Sequence, residues 1–318
     1  MGKPTTIDVA HIKTLSWTTS LTYNASSIIT YNLAVGVSGT DLALCFEGHP
    51  SFHALPTFAS LFVIDSMSAV TKSMPDLLPN FQPHNHVHGE HYLELKRQFP
   101  IPRPGEEVVL ETRANVVDVV DRRTGVTVCV GITTVEKSTV VEICYNEWTS
   151  FIIGARGEGA SSKAEDRGPM SKTYTSPTRE PDLVLEHKTS AEQGALYRAA
   201  SGDLNPLHFE SEMAKRGGFE GPILTGTCTL GMGVKHVTDG FAGGDAARFK
   251  SVKVGLSKPV YPGETVRTEM WKEDNGRRIL YRQLAGHRVV MKDGVVELRE
   301  LRSNLRSSPN ILNINTLE

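Results

Sequence analysis

Apolar and polar residues alternate along much of the 318-residue chain, and this period of two predicts several antiparallel strands in each half. The first half carries two such runs, at residues 124–137 and 138–153. The second half carries four, at residues 246–258, 265–273, 277–286 and 289–301. Within the last run, Lys292-Asp293-Gly294 is predicted to form a hairpin turn, because Asp-Gly tolerates the positive φ that such a turn needs.

Two apolar stretches are too long for a strand and predict buried helices. One covers Ser51 to Ser68, with Pro56 near its start, and the other covers Thr225 to Phe241, with Gly240 near its end. Each half therefore combines one buried helix with several antiparallel strands, which is an α+β pattern. A sheet wrapped around a central helix is a hot-dog unit, so the chain is predicted to be a double hot dog.

A shift in composition separates the two halves. Residues 154–181 are mostly Gly, Ser, Pro and charged residues, which predicts a linker or mobile loop. The predicted division is an N-terminal unit at 1–153, a linker at 154–182 and a C-terminal unit at 183–318. Pro104-Gly105-Glu106 and Pro262-Gly263-Glu264 precede similar alternating runs, although the flanking residues are not fully in step, and this favours an internal duplication.

Composition and charge exclude several classes of function. The chain is 39% apolar and 22% charged with a net charge of −2, so no global field favours nucleic acid or an anionic membrane. The four cysteines lie far apart among apolar neighbours, as expected of reduced thiols in an intracellular protein. With no apolar signal-like N-terminus and a C-terminus that is not of the SKL type, the expected location is intracellular, cytoplasmic or peroxisomal.

The segment from Tyr197 to His208 carries the densest chemical signal. Gly202 is predicted to end a helix, and Pro206 cannot continue one, so the chain must turn between Asp203 and His208. A carboxylate and an imidazole on such a turn can hold one water, with one group accepting a proton and the other supplying one. The alternative is that Asp203 caps the next helix and His208 packs passively.

This segment resembles the hydratase 2 signature of MaoC-like proteins, usually written Y-R-x-S-G-D-x-N-P-x-H, with Ala200 as an additional residue before Ser-Gly-Asp. Further stretches at residues 221–224, 226–229, 248–250 and 258–263 also resemble this family, and residues 31–36, 55–58 and 88–95 are similar to the hydratase unit of peroxisomal multifunctional enzyme type 2. The resemblance covers roughly residues 25–300 without the linker, and it implies a double hot dog that acts on acyl thioesters.

The resemblance also implies roles for single residues. Asp203 and His208 match the family's catalytic pair, Asn205 matches a supporting residue, and Gly226 matches the glycine whose backbone N–H binds the thioester carbonyl. A backbone donor at the start of a buried helix can stabilise the charge that builds on that oxygen. Contacts with the substrate are expected from these residues: Tyr197, Thr225, His88, Gly89, and, for phosphates of coenzyme A, Arg248 and Lys250.

The first half should differ from the second in function. The family's N-terminal unit has lost its catalytic loop and holds the acyl tail, and no D-x-N-P-x-H pattern occurs before the linker in this chain. The expected reaction is addition of water to a trans-2-enoyl thioester or its removal from an (R)-3-hydroxyacyl thioester. It needs no metal or redox cofactor, with coenzyme A or pantetheine as part of the substrate, and a homodimer is possible.

One departure from the family pattern keeps alternatives open. The family commonly has His before the glycine at 226, whereas this chain has Thr225, which cannot become cationic. The alternatives are therefore a dehydratase of a specialised, polyketide-type pathway with a non-standard substrate, a thioesterase, and a non-catalytic hot-dog binding protein. A metal site is a further alternative at His84, His86, His88 and His91, but no Cys or second cluster completes a ligand set, so no metal is expected.

Overall fold

A computed structural model describes residues 4–155 and 157–300 of the chain. The first half contains helices α1 (Val9–Thr14), α2 (Ala25–Ala34), α3 (Leu42–Cys45) and α4 (Ile64–Leu77), and strands β1 (Ser16–Tyr23), β2 (His86–Leu95), β3 (Val108–Arg122), β4 (Gly125–Glu136) and β5 (Glu142–Ile153). The second half contains helices α5 (Gln193–Ser201), α6 (Ser211–Arg216) and α7 (Gly226–Ala242), and strands β6 (Leu183–Lys188), β7 (Phe249–Leu256), β8 (Thr265–Glu273), β9 (Arg278–Ala285) and β10 (Arg288–Leu298). No helix in the described part of the chain is both long and apolar enough to cross a membrane.

All ten strands form one antiparallel sheet in the order β1-β3-β4-β5-β2-β7-β10-β9-β8-β6. Read from the two edges inwards, the halves repeat the same connectivity and meet where β2 pairs with β7, from Glu90 opposite Gly255 to Glu94 opposite Ser251. The two Pro-Gly-Glu turns precede the equivalent strands β3 and β8, with positive φ at Gly105 and Gly263. The predicted α+β double hot-dog fold is confirmed, with both halves sharing one continuous sheet.

Helix α7 is the buried central helix of the second half, and the prediction of a helix over Thr225–Phe241 is confirmed within one residue at each end. It packs mainly against β7 and β10 and against a short 3₁₀ helix, Pro56–Leu61, from the first half. The shared core therefore joins both halves on the inner, concave side of the sheet.

The first-half helix differs from the prediction of one helix over Ser51–Ser68. The structure has the 3₁₀ helix at 56–61 and then α4, which continues to Leu77. Residues 54–60 are all buried, whereas a helical spacing of buried positions begins only at Val63 and continues through Met67, Val70 and Met74. That stripe packs on β3 and β4 as a second, separate apolar cluster.

The predicted hairpin turn at Lys292-Asp293-Gly294 is wrong. These residues lie inside β10, where the pairing register with β7 and β9 shifts around them. Asp293 does adopt a positive φ of 55°, so the sequence signal marks a β-bulge in place of a chain reversal. The reversal between β9 and β10 falls at Gly286, which also has a positive φ.

The connecting segment is defined as residues 154–182. Its described part, residues 154–155 and 157–182, crosses the outer face of the sheet with little regular structure. Arg167 forms ion pairs with Asp118 at 2.9 Å and with Glu147 at 3.1 Å, and its side chain is only 16% exposed. At the seam, Lys253 donates to the Lys172 carbonyl oxygen at 2.8 Å and pairs with Glu90 at 3.2 Å. The segment, predicted from its composition to be a linker or mobile loop, is thus held to the first half by the ion pairs of Arg167 and to the second half by the hydrogen bond from Lys253.

We expect Arg167→Met to lower the free energy of unfolding by about 3–5 kcal/mol, because it leaves the Asp118 and Glu147 carboxylates buried without their cation. Denaturation in urea measures the change. Arg216→Met is the matched control, since Arg216 and Glu212 form an exposed helical pair whose loss should cost less than about 1 kcal/mol. Equal effects of the two substitutions would contradict a clamping role for Arg167.

Candidate active site

The loop between α5 and α6 places Asp203 and His208 face to face. Gly202 ends α5 in the left-handed conformation with φ 67°, and Pro206 opens a 3₁₀ turn, Pro206–His208, so the chain reverses over five residues. The Oδ2 of Asp203 lies 3.8 Å from the Nε2 of His208, and the two side chains are 16% and 8% exposed. The predicted convergence of the two groups is therefore present.

A second contact fixes which nitrogen of His208 carries the proton. Its Nδ1 lies 2.8 Å from the carbonyl oxygen of Ile223, which can only accept a hydrogen bond, so Nδ1 is the donor. In the neutral ring Nε2 then carries a free lone pair that faces Asp203. The distance of 3.8 Å is too long for a direct hydrogen bond, but a water beside the two groups can donate one hydrogen bond to each.

Asn205 supports the loop rather than contacting the imidazole. Its side-chain oxygen accepts from the Leu207 N–H at 3.1 Å and caps the 3₁₀ turn. Its own backbone N–H donates to Oδ1 of Asp203 at 2.9 Å, which leaves Oδ2 facing the ring. The side chain itself is exposed. Its position agrees with a supporting role that acts on Asp203 through the backbone.

Gly226 opens α7 three residues after Ile223, the residue that holds His208. The first N–H groups of a helix have no partner inside it, and the helix dipole makes them favourable sites for negative charge. Thr225 is the N-cap residue and is nearly buried, but its side chain makes no capping hydrogen bond among the described residues. A methyl group on Gly226 would overlap Cδ2 of Leu256, so the Leu256 side chain packs directly against the Cα of Gly226.

Tyr197 lies on α5, the helix that precedes the loop with Asp203 and His208. It is buried, and its hydroxyl donates to Oγ1 of Thr227 at 2.8 Å, which ties α5 to the first turn of α7. The sequence predicted contact with the substrate. This placement favours a positioning role, since the hydrogen bond joins the helix before the Asp203–His208 loop to the helix that begins at Gly226.

Tyr197→Phe should therefore lower the free energy of unfolding by about 1 kcal/mol, the usual net contribution of one buried hydrogen bond. Thermal and urea unfolding measure it. Tyr281→Phe is a matched control, because the Tyr281 hydroxyl is buried but has no hydrogen-bond partner within the described ranges. We expect Tyr281→Phe to be neutral or slightly stabilising. A larger loss in Tyr281→Phe than in Tyr197→Phe would contradict this assignment.

His88 approaches the site from the first half. A bulge in β2 shifts the register between His88 and Glu90, so His88 and His91 share the inner face of the sheet although they are three residues apart. The His88 ring stacks on Trp148 with centroids 3.4 Å apart and planes within 8°. A methyl group on Gly226 would lie 4.0 Å from Nδ1 of His88, whereas Gly89 lies in the bulge itself.

Burial keeps these histidines neutral. Desolvation lowers the pKa of His86 and of His91 to about 4, and it lowers the pKa of His88 well below its usual value, with His91 adding to the effect. A group whose folded pKa is below its unfolded value of about 6.5 stabilises the fold above that pH, and this contribution is lost as the pH falls towards the folded pKa.

We therefore expect the free energy of unfolding to decrease as the pH falls from 6.5 to 5, by up to about 1.4 kcal/mol per pH unit for each such histidine. Urea unfolding across this range measures the slope. His91→Gln should make the slope smaller, whereas His11→Gln, at an exposed side chain, should leave it unchanged. A flat stability profile between pH 6.5 and 5 in the wild-type protein would contradict burial of neutral histidines.

Arg248 and Lys250 are not brought to this site. Arg248 follows α7, and its Nη1 donates to the Phe241 carbonyl oxygen at 2.9 Å, a common way to complete a helix C-terminus. Lys250 is exposed near the start of β7. Gly226 lies against Leu256 at the other end of the same strand, about 20 Å from Lys250 at the usual rise per residue.

Several contributors to the site are absent from the sequence-based prediction. They are the carbonyl oxygen of Ile223, which accepts from His208, the Trp148 ring, which stacks on His88, the Leu256 side chain, which packs against Gly226, and the buried hydroxyl of Thr227. Each belongs to an ordinary apolar or β-branched run, so its sequence carries no chemical signal. In residues 4–155 and 157–300, no group of three or more His, Cys, Asp or Glu residues is arranged to hold a metal ion.

Comparison with known proteins divides the chain as the structure does. The family described as MFE-2 hydratase 2 N-terminal domain matches residues 21–154, and the MaoC like domain family matches residues 172–289. The chain is 40% identical over 260 residues to mouse peroxisomal multifunctional enzyme type 2, covering 80% of this chain and 34% of that enzyme. The chain thus spans about a third of that relative's length.

A shorter relative is matched over most of its length. The chain is 38% identical over 243 residues to the probable enoyl-CoA hydratase 2 of Dictyostelium discoideum, covering 76% of this chain and 79% of that protein. Among solved structures, a MaoC-like dehydratase from Phytophthora capsici superposes with a TM-score of 0.81 at 28% identity, covering 92% of this chain and 98% of that one.

Proposed function

The chain belongs to the hydratase 2 family of MaoC-like proteins, and on that premise we propose that it is a hydro-lyase that adds water to a trans-2-enoyl thioester to give the (R)-3-hydroxyacyl product. The observation that carries the proposal is the 3.8 Å distance between Oδ2 of Asp203 and Nε2 of His208, two largely buried acid–base groups close enough for one water beside them to donate a hydrogen bond to each. The reverse reaction, loss of water from the 3-hydroxyacyl thioester, uses the same groups.

The proposed mechanism starts from the free lone pair on Nε2 of His208. This nitrogen takes one proton from the water while Oδ2 of Asp203 accepts a hydrogen bond from the other. The hydroxide oxygen forms a bond to C3, and the electron pair of the C2–C3 double bond shifts towards the thioester oxygen. The imidazolium then returns its proton to C2, so that one water has been added across the double bond.

The second requirement of the mechanism is stabilisation of the negative charge that builds on the thioester oxygen. We assign its stabilisation to the backbone N–H of Gly226, at the N-terminal end of α7. The thiol part of the substrate is coenzyme A or a protein-bound pantetheine, and the proposal includes no metal or redox cofactor. Since the mouse relative is peroxisomal by name, the cytoplasm or the peroxisome is the proposed compartment.

The test is hydration of crotonyl-CoA and of trans-2-decenoyl-CoA, followed by loss of the conjugated thioester absorbance and by chiral analysis of the product. The expected result is turnover to the (R)-alcohol. Release of free thiol without hydration would instead assign a thioesterase, and folded protein without turnover on either substrate would overturn the general hydratase proposal.

A second candidate function is a dehydratase for a non-standard acyl thioester. It is favoured by Thr225 in place of the family's His and by the wall of neutral histidines and Trp148 close to Gly226, which is more polar than a wall of aliphatic side chains. Turnover of an oxygenated or aromatic 3-hydroxyacyl thioester, together with failure on both enoyl-CoA substrates, would identify this function.

A further inference from the structure

The carbonyl oxygen of Ala34, at the end of α2, lies where the two halves meet. Two side chains of the second half donate to this one atom, the Nε2 of Gln193 at 2.5 Å and the Sγ of Cys228 at 3.5 Å. The last carbonyl groups of a helix have no partner inside it, so the Ala34 oxygen can accept from both donors. Ala34 and Cys228 are fully buried, and Gln193 is only 4% exposed. This contact between the halves therefore lies inside the fold.

The side-chain amide of Gln193 uses both of its ends. The Ala34 oxygen can only accept a hydrogen bond, so the amide nitrogen must face it. The Oε1 of Gln193 then accepts from the backbone N–H of Ser190 at 3.2 Å, just before α5 begins at Gln193. Partners on two sides thus fix the orientation of this buried amide, and the amide joins the start of α5 to the end of α2.

The two helices that meet at Ala34 carry the two parts of the candidate active site. Helix α5 leads directly into the loop with Asp203 and His208, and Cys228 lies in the first turn of α7, two residues after Gly226. Because the acid–base pair and the Gly226 N–H follow different helices, their spacing depends on contacts between those helices. A displacement of about 1 Å between reacting groups can lower a rate by about 10²-fold.

A single contact between α5 and α7 does not fix that spacing. The hydrogen bond between Tyr197 and Thr227 joins the two helices at one point, about which α5 can still pivot. Gln193 lies one helical turn before Tyr197 and holds the start of α5 to an atom of the first half. Cys228 holds the first turn of α7 to the same atom. With both contacts present, α5 is attached at two points along its length.

Building on the proposed function, we propose that Gln193 is a positioning residue, whose hydrogen bond to the Ala34 carbonyl oxygen aligns the Asp203–His208 pair with the Gly226 N–H. Gln193 itself does not touch the substrate. The first half thereby contributes to the rate of the reaction through one of its backbone atoms. Loss of the alignment should affect kcat more than KM, because most contacts that bind the substrate do not depend on it.

The test compares three substitutions by steady-state hydration of crotonyl-CoA. Gln193→Met keeps the length of the side chain and removes both hydrogen bonds. Gln193→Glu keeps the acceptor for Ser190, and only its protonated carboxyl group can donate to the Ala34 oxygen. Gln283→Met is the matched control, because Gln283 is a fully buried glutamine that packs on α7 at Gly233, two turns from the start of that helix.

We expect Gln193→Met to lower kcat by about tenfold at a nearly unchanged KM, whereas Gln283→Met should retain kcat. Gln193→Glu should lose activity at about pH 8 and regain it, relative to the wild-type protein, as the pH falls to about 6. Burial raises the pKa of a carboxyl group, and the protonated form restores the donor. A purely structural role gives no such recovery. Equal kcat in the wild-type protein and in Gln193→Met, or no recovery in Gln193→Glu, would overturn the proposal.

A second measurement does not depend on turnover. Hydrogen–deuterium exchange is followed in residues 202–210 and in strands β3 and β4 of the other half. Gln193→Met should speed exchange in residues 202–210 alone, and Gln283→Met should leave both regions unchanged. Faster exchange in Gln193→Met without hydration by the wild-type protein overturns only the hydratase function. Hydration with unchanged exchange and unchanged kcat in Gln193→Met overturns the Gln193 assignment alone, and absence of both effects overturns the two together.

Discussion

Replacement of His208 by Gln is expected to lower kcat/KM for crotonyl-CoA by a factor of about 10²–10⁴, the usual contribution of a positioned general base. The free Nε2 lone pair exists because Nδ1 is committed to the Ile223 carbonyl oxygen, and glutamine has no comparably basic atom at that position. Asp203→Asn should cause a loss in the same range, since an amide presents an N–H where the carboxylate would accept a hydrogen bond. Initial rates at saturating and subsaturating substrate measure both effects.

Asn205→Ala separates support from chemistry at the same loop. The alanine variant keeps the backbone N–H that bonds to Asp203 and loses only the cap on Leu207. We therefore expect a smaller loss of kcat/KM than for Asp203→Asn, and a decrease of about 1 kcal/mol in the free energy of unfolding.

The double variant of Asp203 and His208 should have a kcat/KM only slightly below that of either single variant, because the two groups act on one water. Additive losses would contradict a shared water and assign the residues to separate steps.

Removal of the backbone N–H of Gly226 is expected to cause the second large loss of activity. Proline, which lacks this N–H, can replace Gly226 because Gly226 is the first residue of α7. Proline is well tolerated at the first residue of a helix, and Thr225 before it already has an extended ψ of 135°. Leu256 must be shortened to make room. We expect Gly226→Pro with Leu256→Ala to lower kcat by about 10²–10³ relative to Gly226→Ala with Leu256→Ala, since only the first pair lacks the backbone donor.

The matched pair makes this comparison specific to the hydrogen bond. Both double variants carry a side chain at 226 and the same cavity at 256, so losses from packing appear in each. Thermal unfolding should show similar stabilities, because that N–H has no partner within the helix. Equal kcat values in the two double variants would remove the backbone N–H of Gly226 from the mechanism.

Local patterns in the sequence were sufficient for the central helix of the second half and for the loop that carries Asp203 and His208. Gly202 and Pro206 force a reversal whatever surrounds them, so the convergence of Asp203 and His208 follows from residues within the loop. The central helix at 226–242 could likewise be predicted from its own residues. The sequence alone did not reveal that His88 approaches Gly226, because that contact depends on a bulge in β2 and on the pairing of β2 with β7.

Long-range pairing also explains the incorrect or incomplete predictions. Asp293-Gly294 carries a turn signal, but β10 has partners on both sides that continue past it, so the chain bulges and does not reverse. The connecting segment has the composition of a mobile loop, yet Arg167 meets two carboxylates buried on the sheet. Arg248, expected to contact phosphates of coenzyme A, donates in this structure to the Phe241 carbonyl oxygen at the end of α7. For β10 and for Arg167 the deciding partners lie on other strands of the sheet.

The pairing of β2 with β7 joins two structurally equivalent halves that are separate parts of one chain, so a mutation changes the surface of one half without changing the other. An enzyme assembled from two identical subunits cannot alter one copy of a surface without altering the other. In this chain each half has its own codons, so, on the proposed function, the half without the Asp203–His208 loop can accumulate changes that alter substrate choice while that pair stays unchanged. New specificities in this lineage should therefore arise mainly by substitution in residues 4–153, with the reaction itself inherited unchanged.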